Sequence, residues 1–168
     1  GLKPVSFFIL NKLLYSIIVN CDFYAAHTYL NGDEPESKYI DNIDEILSIY
    51  KNTEIYKGIQ NYKKDNKYFG VNSINTLRSE IFLETETNLI KNLQDGNIFY
   101  LEAPTGSGKT NTSINLAFNI VKNNPSINKI FYIFPFNTLV EQTKNSFDEI
   151  FDKSIQDKFK VAVINSIT

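Results

Sequence analysis

A glycine-rich segment carries the clearest chemical signal in this chain. It reads LEAPTGSGKT over residues 101–110 and follows a strand-like apolar run over residues 97–101. Gly106 and Gly108 can adopt backbone conformations that other residues avoid, so the N–H groups around them can point inward at a phosphate. The helix expected after this segment adds its positive end to the same place. The spacing therefore predicts a phosphate-binding loop.

Two side chains directly after the last glycine narrow the ligand to a nucleoside triphosphate. The ammonium group of Lys109 can reach the outer phosphates, and the hydroxyl of Thr110 is a typical magnesium ligand. An ordinary glycine-rich turn has no need for a Lys-Thr pair at this place. We predict that ATP and Mg²⁺ bind here, with Lys109 and Thr110 as the catalytic residues and Thr110 as the magnesium ligand. The predicted ATP contacts are Pro104, Thr105, Gly106, Ser107, Gly108, Lys109 and Thr110.

A second expected helix start, PFNT over residues 135–138, is a candidate nucleic-acid contact. It follows an apolar strand-like run, and the free N–H groups of a helix start can bind phosphate oxygens. Asn137 and Thr138 add small polar groups. Thr138 and Glu141 also have the spacing of a capping box, which explains both residues without a ligand. The two alternatives stay open, and the predicted nucleic-acid contacts are Pro135, Phe136, Asn137 and Thr138.

The elements expected around these two motifs alternate between helix and strand. Such alternation indicates right-handed crossovers and a mainly parallel sheet, so we predict an α/β fold. Apolar periodicity and turn residues predict helices near residues 73–93, 114–121 and 138–151, and strands at residues 97–101, 129–134 and 161–164.

The first seventy residues have a different character. Residues 5–30 predict one or two helices that are too densely apolar for a solvent-facing stripe, so we expect them in a core. Residues 40–50 predict a shorter amphipathic helix. Residues 51–72 have no clear period and predict a connector. Its Tyr- and Lys-rich part, residues 62–70, is either a solvated linker or a surface that stacks on bases.

Composition limits the class of protein without identifying it. The chain has 168 residues, of which 42% are hydrophobic and 14% aromatic, enough material for a core. A net charge of −2 gives no overall basic surface for nucleic acid. The lone Cys21 fits a reducing compartment, and residues 5–19 are interrupted by polar side chains. We therefore expect a cytoplasmic protein that does not contact a membrane.

Several of these segments resemble a known family. The loop spelling, with Ala103 where many phosphate loops have glycine, resembles motif I of superfamily 2 helicases, and residues 134–142 resemble motif Ia. The LEAPTG context and the FPF triplet at residues 134–136 resemble the CRISPR-associated helicase-nucleases of type I interference systems. Residues 16–26, with Asp22 among apolar neighbours, resemble the last helix of an HD-type phosphohydrolase domain.

The resemblance implies an ATP-driven DNA helicase-nuclease in antiviral defence. Residues 1–30 would be the end of the HD nuclease domain, residues 31–72 a helical linker, and residues 73–168 the first part of a RecA-like motor domain. Asp22 would complete a site for a divalent transition metal, although a solvent-facing or N–H-paired Asp22 explains the residue almost as well. The implied partners are single-stranded DNA and a guide-RNA surveillance complex.

The carboxylates needed for hydrolysis are harder to find. Such motors use an Asp-Glu pair after an apolar strand, and the three pairs present here lie in a turn or on expected helices. We expect the functional pair beyond Thr168, so that this piece binds ATP without hydrolysing it. His27, the only histidine, has the pattern of a surface or satisfied residue. Arg78, upstream of the loop, is a candidate base contact or a surface arginine.

Two alternatives to the CRISPR assignment remain. One is another superfamily 2 translocase that acts in restriction or repair and has an unrelated helical N-terminus. The other is an interaction module that binds a nucleotide and a protein partner without moving along DNA.

Overall fold

The structure is a computed structural model that describes residues 4–34, 40, 42–70, 73–151, 161 and 163. The chain divides into two compact units, Gly1–Lys38 and Tyr39–Thr168. The described residues form six helices and no strand. These are α1 (Pro4–Asn31), α2 (Ile43–Asn52), α3 (Glu54–Lys64), α4 (Ile74–Asn92), α5 (Lys109–Asn123) and α6 (Asn137–Ile150).

The first unit contains α1, a single helix of 28 residues. The prediction of helix over residues 5–30 is confirmed, but the expectation that it lies in a core is wrong, because none of its residues is buried. Its apolar side chains are distributed around the whole helix, so no single face is marked for packing. Among the described helices, α1 is long and apolar enough to cross a membrane, which the interruptions in residues 5–19 had argued against. One such helix is weak support for a membrane span, since core helices have the same composition.

The second unit is built around a core that draws on every helix from α2 to α5. Its central side chain is Tyr50, which has no exposed surface and packs edge-on against Phe118 with ring centroids 5.6 Å apart. Phe151, which follows α6, adds a third ring to this contact. The other buried members of the core are Ile46, Leu47, Ile59, Phe82 and Ile114. The core therefore fixes α5, and with it the segment that precedes α5.

The predicted α/β fold with a RecA-like parallel sheet is wrong for the described residues. Residues 97–101 and 129–134, both predicted as strands, are irregular and form no ladder. Large apolar side chains in them are exposed, with Tyr100 at 95% and Ile133 at 90%. A short apolar run indicates a strand only when a neighbouring strand pairs with it, and the run itself does not specify that neighbour. Of the strand predicted at residues 161–164, only Val161 and Val163 are described, and neither is in a strand.

The connector predicted over residues 51–72 contains α3. Thr53 caps this helix, because its Oγ1 accepts a hydrogen bond from the N–H of Tyr56. Ile59 and Tyr62 are buried, so the helix has a packed face that its many lysines and asparagines obscure in the sequence. Phe69 stacks on Tyr62 with ring centroids 6.2 Å apart. The aromatic residues of the Tyr- and Lys-rich stretch thus contribute to packing.

Candidate functional site

The predicted phosphate-binding loop lies directly before α5 and has the backbone that its glycines allow. Gly106 and Gly108 have φ angles of +80° and +83°, in the left-handed region. Gly108 is the residue before the first turn of α5, and no side chain caps that helix start. The first turn also has no acidic residue. The N–H groups and the positive end of α5 are therefore left without a competing carboxylate.

Lys109 folds back over the loop. Its ammonium group donates to the carbonyl oxygens of Ala103 and Pro104 at 2.7 and 2.9 Å. Thr110 is half-buried, and its carbonyl accepts from the hydroxyl of Ser113 at 2.8 Å. The hydroxyl of Thr110 takes part in none of these three hydrogen bonds. The Lys109 ammonium is held beside the loop by neutral acceptors that a phosphate, as an anion, would outcompete.

Ser107 is the most buried residue of the loop, at 1% exposure. Its hydroxyl oxygen is buried and has no hydrogen-bond partner among the residues that the structure describes. Buried polar atoms without partners are uncommon in folded proteins and indicate strain, a function or a missing ligand. The loop thus contains an unsatisfied donor next to a helix start.

Arg78, on α4, contacts the loop directly. Its Nε donates to the carbonyl oxygen of Gly106 at 2.9 Å, and its Nη1 donates to Oδ1 of Asn75 at 3.2 Å. The aliphatic part of Arg78 also lies beside Gly108, since its Cγ is 3.6 Å from where a Cβ at that position would be. Its position upstream of the loop had suggested only a base contact or a surface arginine. Its contact with the loop is across 28 residues of sequence, and no local pattern could have revealed it.

Two polar contacts hold α5 in place behind the loop. Oε1 of Glu86, on α4, accepts from Nδ2 of Asn115 at 3.0 Å, and Asn115 is buried. The hydroxyl of Tyr50, on α2, donates to Oδ1 of Asn111 at 2.9 Å. Burial raises the pKa of Tyr50 far above its usual value, so the phenol stays neutral and remains a donor. The loop therefore leads into a helix that is fixed from two sides.

A cavity of about 540 Å³ lies beside Lys109 and Thr110. The half-buried rings of Tyr132 and Phe134 form part of its wall, and α6 supplies another part, including Glu149. Burial raises the pKa of Tyr132 above its usual 10.0, and the contact with Ser113 opposes this shift. Glu149 belongs to one of the three Asp-Glu pairs of the sequence, the pair on the helix after the second motif. In the structure it is exposed but lines the same cavity as the Lys-Thr pair.

The second predicted motif is a plain helix start. The residue before the first turn of α6 is Phe136, at φ −136° and ψ 140°, and no side chain caps the helix. Thr138 lies inside the first turn, so the capping box considered for Thr138 and Glu141 does not form. Pro135, Phe136 and Thr138 are exposed, and Asn137 is half-buried. The structure therefore places all four predicted nucleic-acid contacts at one accessible helix start.

The residues proposed for a transition-metal site are not brought together. Asp22 is exposed on α1, so water can solvate its carboxylate, and burial does not require a metal or a partner there. His27 contacts Asn31 through Nδ1 at 3.0 Å and Asp33 through Nε2 at 3.3 Å. Among the described residues, no group of three His, Cys, Asp or Glu side chains could hold a metal ion. His27 is thus satisfied locally, as its sequence context indicated.

Comparison with known proteins identifies the family. The family model described as type III restriction enzyme, res subunit, matches residues 80–166, just over half of the chain. This stretch includes the loop, α5 and α6. The chain belongs to this family, which is helicase-like, so the prediction of a helicase superfamily is confirmed at that level. No curated protein and no solved structure matches the chain.

The family match identifies a broader class of protein than the CRISPR-associated helicase-nucleases that the sequence resembles. A helicase-like family of ATP-dependent DNA enzymes fits the predicted use of ATP and Mg²⁺. The match does not extend to the CRISPR branch, to a nuclease or to an HD domain. It also begins at residue 80, so α1 and Arg78 lie outside it.

Proposed function

We propose that residues 104–110 bind a nucleoside triphosphate with Mg²⁺, and that the protein uses ATP to act on DNA. The observation that carries this proposal is the uncapped start of α5. There, two glycines with positive φ precede Lys109 and Thr110. The residues present fit the ligand, because the loop offers N–H donors, the Lys109 ammonium and the Thr110 hydroxyl, and no carboxylate lies in the first turn of α5.

Lys109, Thr110 and Arg78 have separate roles in this proposal. The Lys109 ammonium leaves the carbonyls of Ala103 and Pro104 for the outer phosphates. Thr110 supplies the hydroxyl for Mg²⁺, which in such sites neutralises phosphate charge. Arg78 keeps the Gly106 carbonyl turned away from the phosphates and thereby positions the loop.

The start of α6 is proposed as the DNA contact. Its uncapped N–H groups, with Asn137 and Thr138, are suited to phosphates of a single strand and not to base edges. Binding here would be independent of sequence and sensitive to salt. The start of α5 and the start of α6 are two separate groups of N–H donors. The protein could therefore bind a nucleotide at one and a DNA strand at the other.

The type of DNA enzyme is a finer part of the proposal. The match to the res subunit of type III restriction enzymes favours a restriction-type translocase, one of the two alternatives to the CRISPR assignment. The CRISPR helicase-nuclease, with its guide-RNA complex and HD metal, has support only from the sequence resemblance. The exposed Asp22 weakens that resemblance further.

Calorimetric titration with MgATP tests the central proposal. We expect binding by the unsubstituted chain and a loss of roughly 10- to 150-fold in affinity for Lys109→Ala, because a hydrogen bond to a charged group is removed. Lys91→Ala is the matched control, since Lys91 is exposed on α4 and far along the helix from Arg78. Equal affinities for the two variants would show that the loop does not bind phosphate.

A further inference from the structure

Positive charge is concentrated on α3 and the turn that follows it. Residues 55–70 contain four lysines and one aspartate, in a chain whose net charge is −2. Three of these lysines, Lys63, Lys64 and Lys67, are exposed and have no ion-pair partner among the described residues. The fourth, Lys57, pairs with a glutamate at 3.6 Å. This part of an acidic chain therefore presents three unpaired ammonium groups to an anionic partner.

Hydrogen bonds fix the turn that carries Lys67. The side chain and the carbonyl oxygen of Asp65 each accept a hydrogen bond at 3.0 Å, from the N–H groups of Lys67 and Tyr68 respectively. The carbonyl oxygen of Lys67 accepts from the N–H of Gly70 at 2.9 Å. Gly70 has a φ of +79°, a conformation that favours glycine. The backbone that presents Lys67 and Tyr68 is therefore held in one conformation by local contacts.

Tyr68 is the outer member of three packed rings on this turn. Phe69 stacks on the buried Tyr62 with ring centroids 6.2 Å apart. The ring of Phe69 also lies against α3 at Gly58, where a Cβ would be only 3.2 Å from it. Tyr68 packs edge-on against Phe69 with centroids 4.9 Å apart, yet 51% of its surface is exposed. Two inner rings thus support a third that remains accessible to a ligand.

An exposed, supported ring beside unpaired lysines matches the chemistry of a single nucleic-acid strand. The ring can stack on an unpaired base, because every base has an aromatic face, and the lysines can contact the phosphates. Two carboxylates contact this region, and each already accepts a hydrogen bond. Asp65 accepts within its own turn, and Glu80 accepts from the hydroxyl of Tyr62 at 2.8 Å, at the inner end of the ring stack. The outer end, at Tyr68, is the end next to Lys67 in the chain.

We propose that Lys63, Lys64, Lys67 and Tyr68, here called the α3 turn surface, bind single-stranded nucleic acid. Tyr68 stacks on one base, and the lysines contact neighbouring phosphates. This contact goes beyond the proposed function, because it uses neither the loop before α5 nor the start of α6 and does not require ATP. It also lies outside residues 80–166, the stretch that the family model matches.

Fluorescence anisotropy on the full chain with an oligothymidylate tests the stacking. Tyr68→Leu removes the ring and keeps an apolar side chain, and we expect affinity to fall about 5- to 10-fold, as for the loss of one stacked base. Tyr68→Phe keeps the ring and should keep the affinity. An abasic oligonucleotide of the same length has the phosphates without the bases, so Tyr68→Leu should not weaken its binding. Tyr29→Leu, at an 89% exposed ring on α1, is the matched control and should change neither affinity.

Salt dependence tests the lysines. Each phosphate contact with a single strand adds roughly 0.7 to the steepness of log affinity against log salt concentration. The triple variant Lys63→Ala, Lys64→Ala and Lys67→Ala should therefore reduce this steepness by about 2. Replacing the same three lysines with arginine should preserve it, because the charges remain.

A second triple variant controls for the overall loss of charge. Lys12→Ala, Lys91→Ala and Lys122→Ala removes three exposed ammonium groups from α1, α4 and α5, and the salt dependence should stay nearly unchanged. Thermal melting of every variant separates loss of binding from loss of fold. MgATP binding should be unchanged by Tyr68→Leu. A failure of the Lys109→Ala test would therefore overturn the proposed function and leave this inference standing.

Three results would overturn the inference. Equal loss of salt dependence in the two alanine triple variants would show that the strand is not bound at the α3 turn surface. Equal weakening of oligothymidylate and abasic binding by Tyr68→Leu would show that the ring does not stack on a base. If a DNA duplex or an oligoglutamate of the same charge binds as tightly as the oligothymidylate, the surface responds to charge alone and does not recognise a single strand.

Discussion

The starts of α5 and α6 are chemically similar and structurally different. Both helices begin without a side-chain cap and without an acidic residue in the first turn, so each presents N–H groups and a positive end. Before α5, however, the chain turns through Gly106 and Gly108 at positive φ and is held by Arg78. Before α6, the residue at the turn is Phe136, in ordinary extended backbone.

From this difference we expect specific anion binding at the helix start whose preceding loop is fixed. The start of α5 is held from behind by Glu86 and Tyr50 and from the side by Arg78. A ligand there finds its donors already in position and loses less entropy on binding. The start of α6 has the dipole without this support. We therefore expect strong, specific binding at α5 and weak, salt-dependent binding at α6.

The largest expected effect comes from breaking the support behind α5. Glu86→Ala removes the acceptor of the buried Asn115 amide and leaves that amide unsatisfied. We expect the free energy of unfolding to fall by about 2 kcal/mol, the cost of a buried polar group without a partner. Denaturant unfolding measures this change. Glu84→Ala, at an exposed position on the same helix, should change stability by less than about 0.5 kcal/mol. Similar losses for both variants would mean that Glu86 does not support α5.

The next effect comes from the two glycines that distinguish the loop. Gly106→Ala and Gly108→Ala each force a side chain into the left-handed region, at a cost of roughly 1–2 kcal/mol. If the loop relaxes to avoid this cost, its donors turn away, and MgATP affinity falls about 5- to 30-fold. A Cβ at either position meets no close contact, so the effect is conformational and not steric. Gly96→Ala, where φ is not positive and the space is open, is the control and should leave ATP binding unchanged.

The sequence could predict the parts of this site that depend on local chemistry. The glycines and the Lys-Thr pair predict the loop and the start of the helix after it. Pro125 predicts the end of that helix, and α5 ends at Asn123. All five predicted helices are present, as α1, α2, α4, α5 and α6. These features depend on residues that are close together in the chain, and a single sequence contains that information.

The predictions that were wrong concern features that depend on residues far apart in the chain. Apolar periodicity in residues 97–101 and 129–134 indicated strands, but whether a strand forms depends on a partner that the pattern does not identify. Burial of α1 likewise depends on a packing partner that its own sequence does not identify. Its apolar side chains were expected in a core and are exposed. The contact between Tyr50 and Asn111 spans 61 residues, and the contact of Arg78 with Gly106 spans 28. Such pairings are properties of the folded chain.

A smaller effect is expected from removing the side support of the loop. Arg78→Ala removes the hydrogen bond to the Gly106 carbonyl, and since Arg78 is exposed we expect a loss of only about 1 kcal/mol, or roughly 5-fold in MgATP affinity. Arg78→Lys should not restore binding, because an ammonium cannot donate to Gly106 and Asn75 in the same fork geometry. Thermal melting should stay nearly constant for both. A full rescue by lysine would show that Arg78 contributes charge and not position.

The smallest effect should come from the start of α6. The double substitution Asn137→Ala and Thr138→Ala removes two polar side chains but leaves the helix dipole and N–H groups in place. We expect binding of an oligothymidylate to weaken about 2- to 3-fold, less than one neutral hydrogen bond, with MgATP binding unchanged. Fluorescence anisotropy at several salt concentrations measures this, and Thr87→Ala on α4 is the control. Because backbone donors remain in the variant, its affinity should keep the salt dependence of the unsubstituted chain. If the double substitution weakened ATP binding as much as DNA binding, the two helix starts would not act separately, and the contrast between them would not hold.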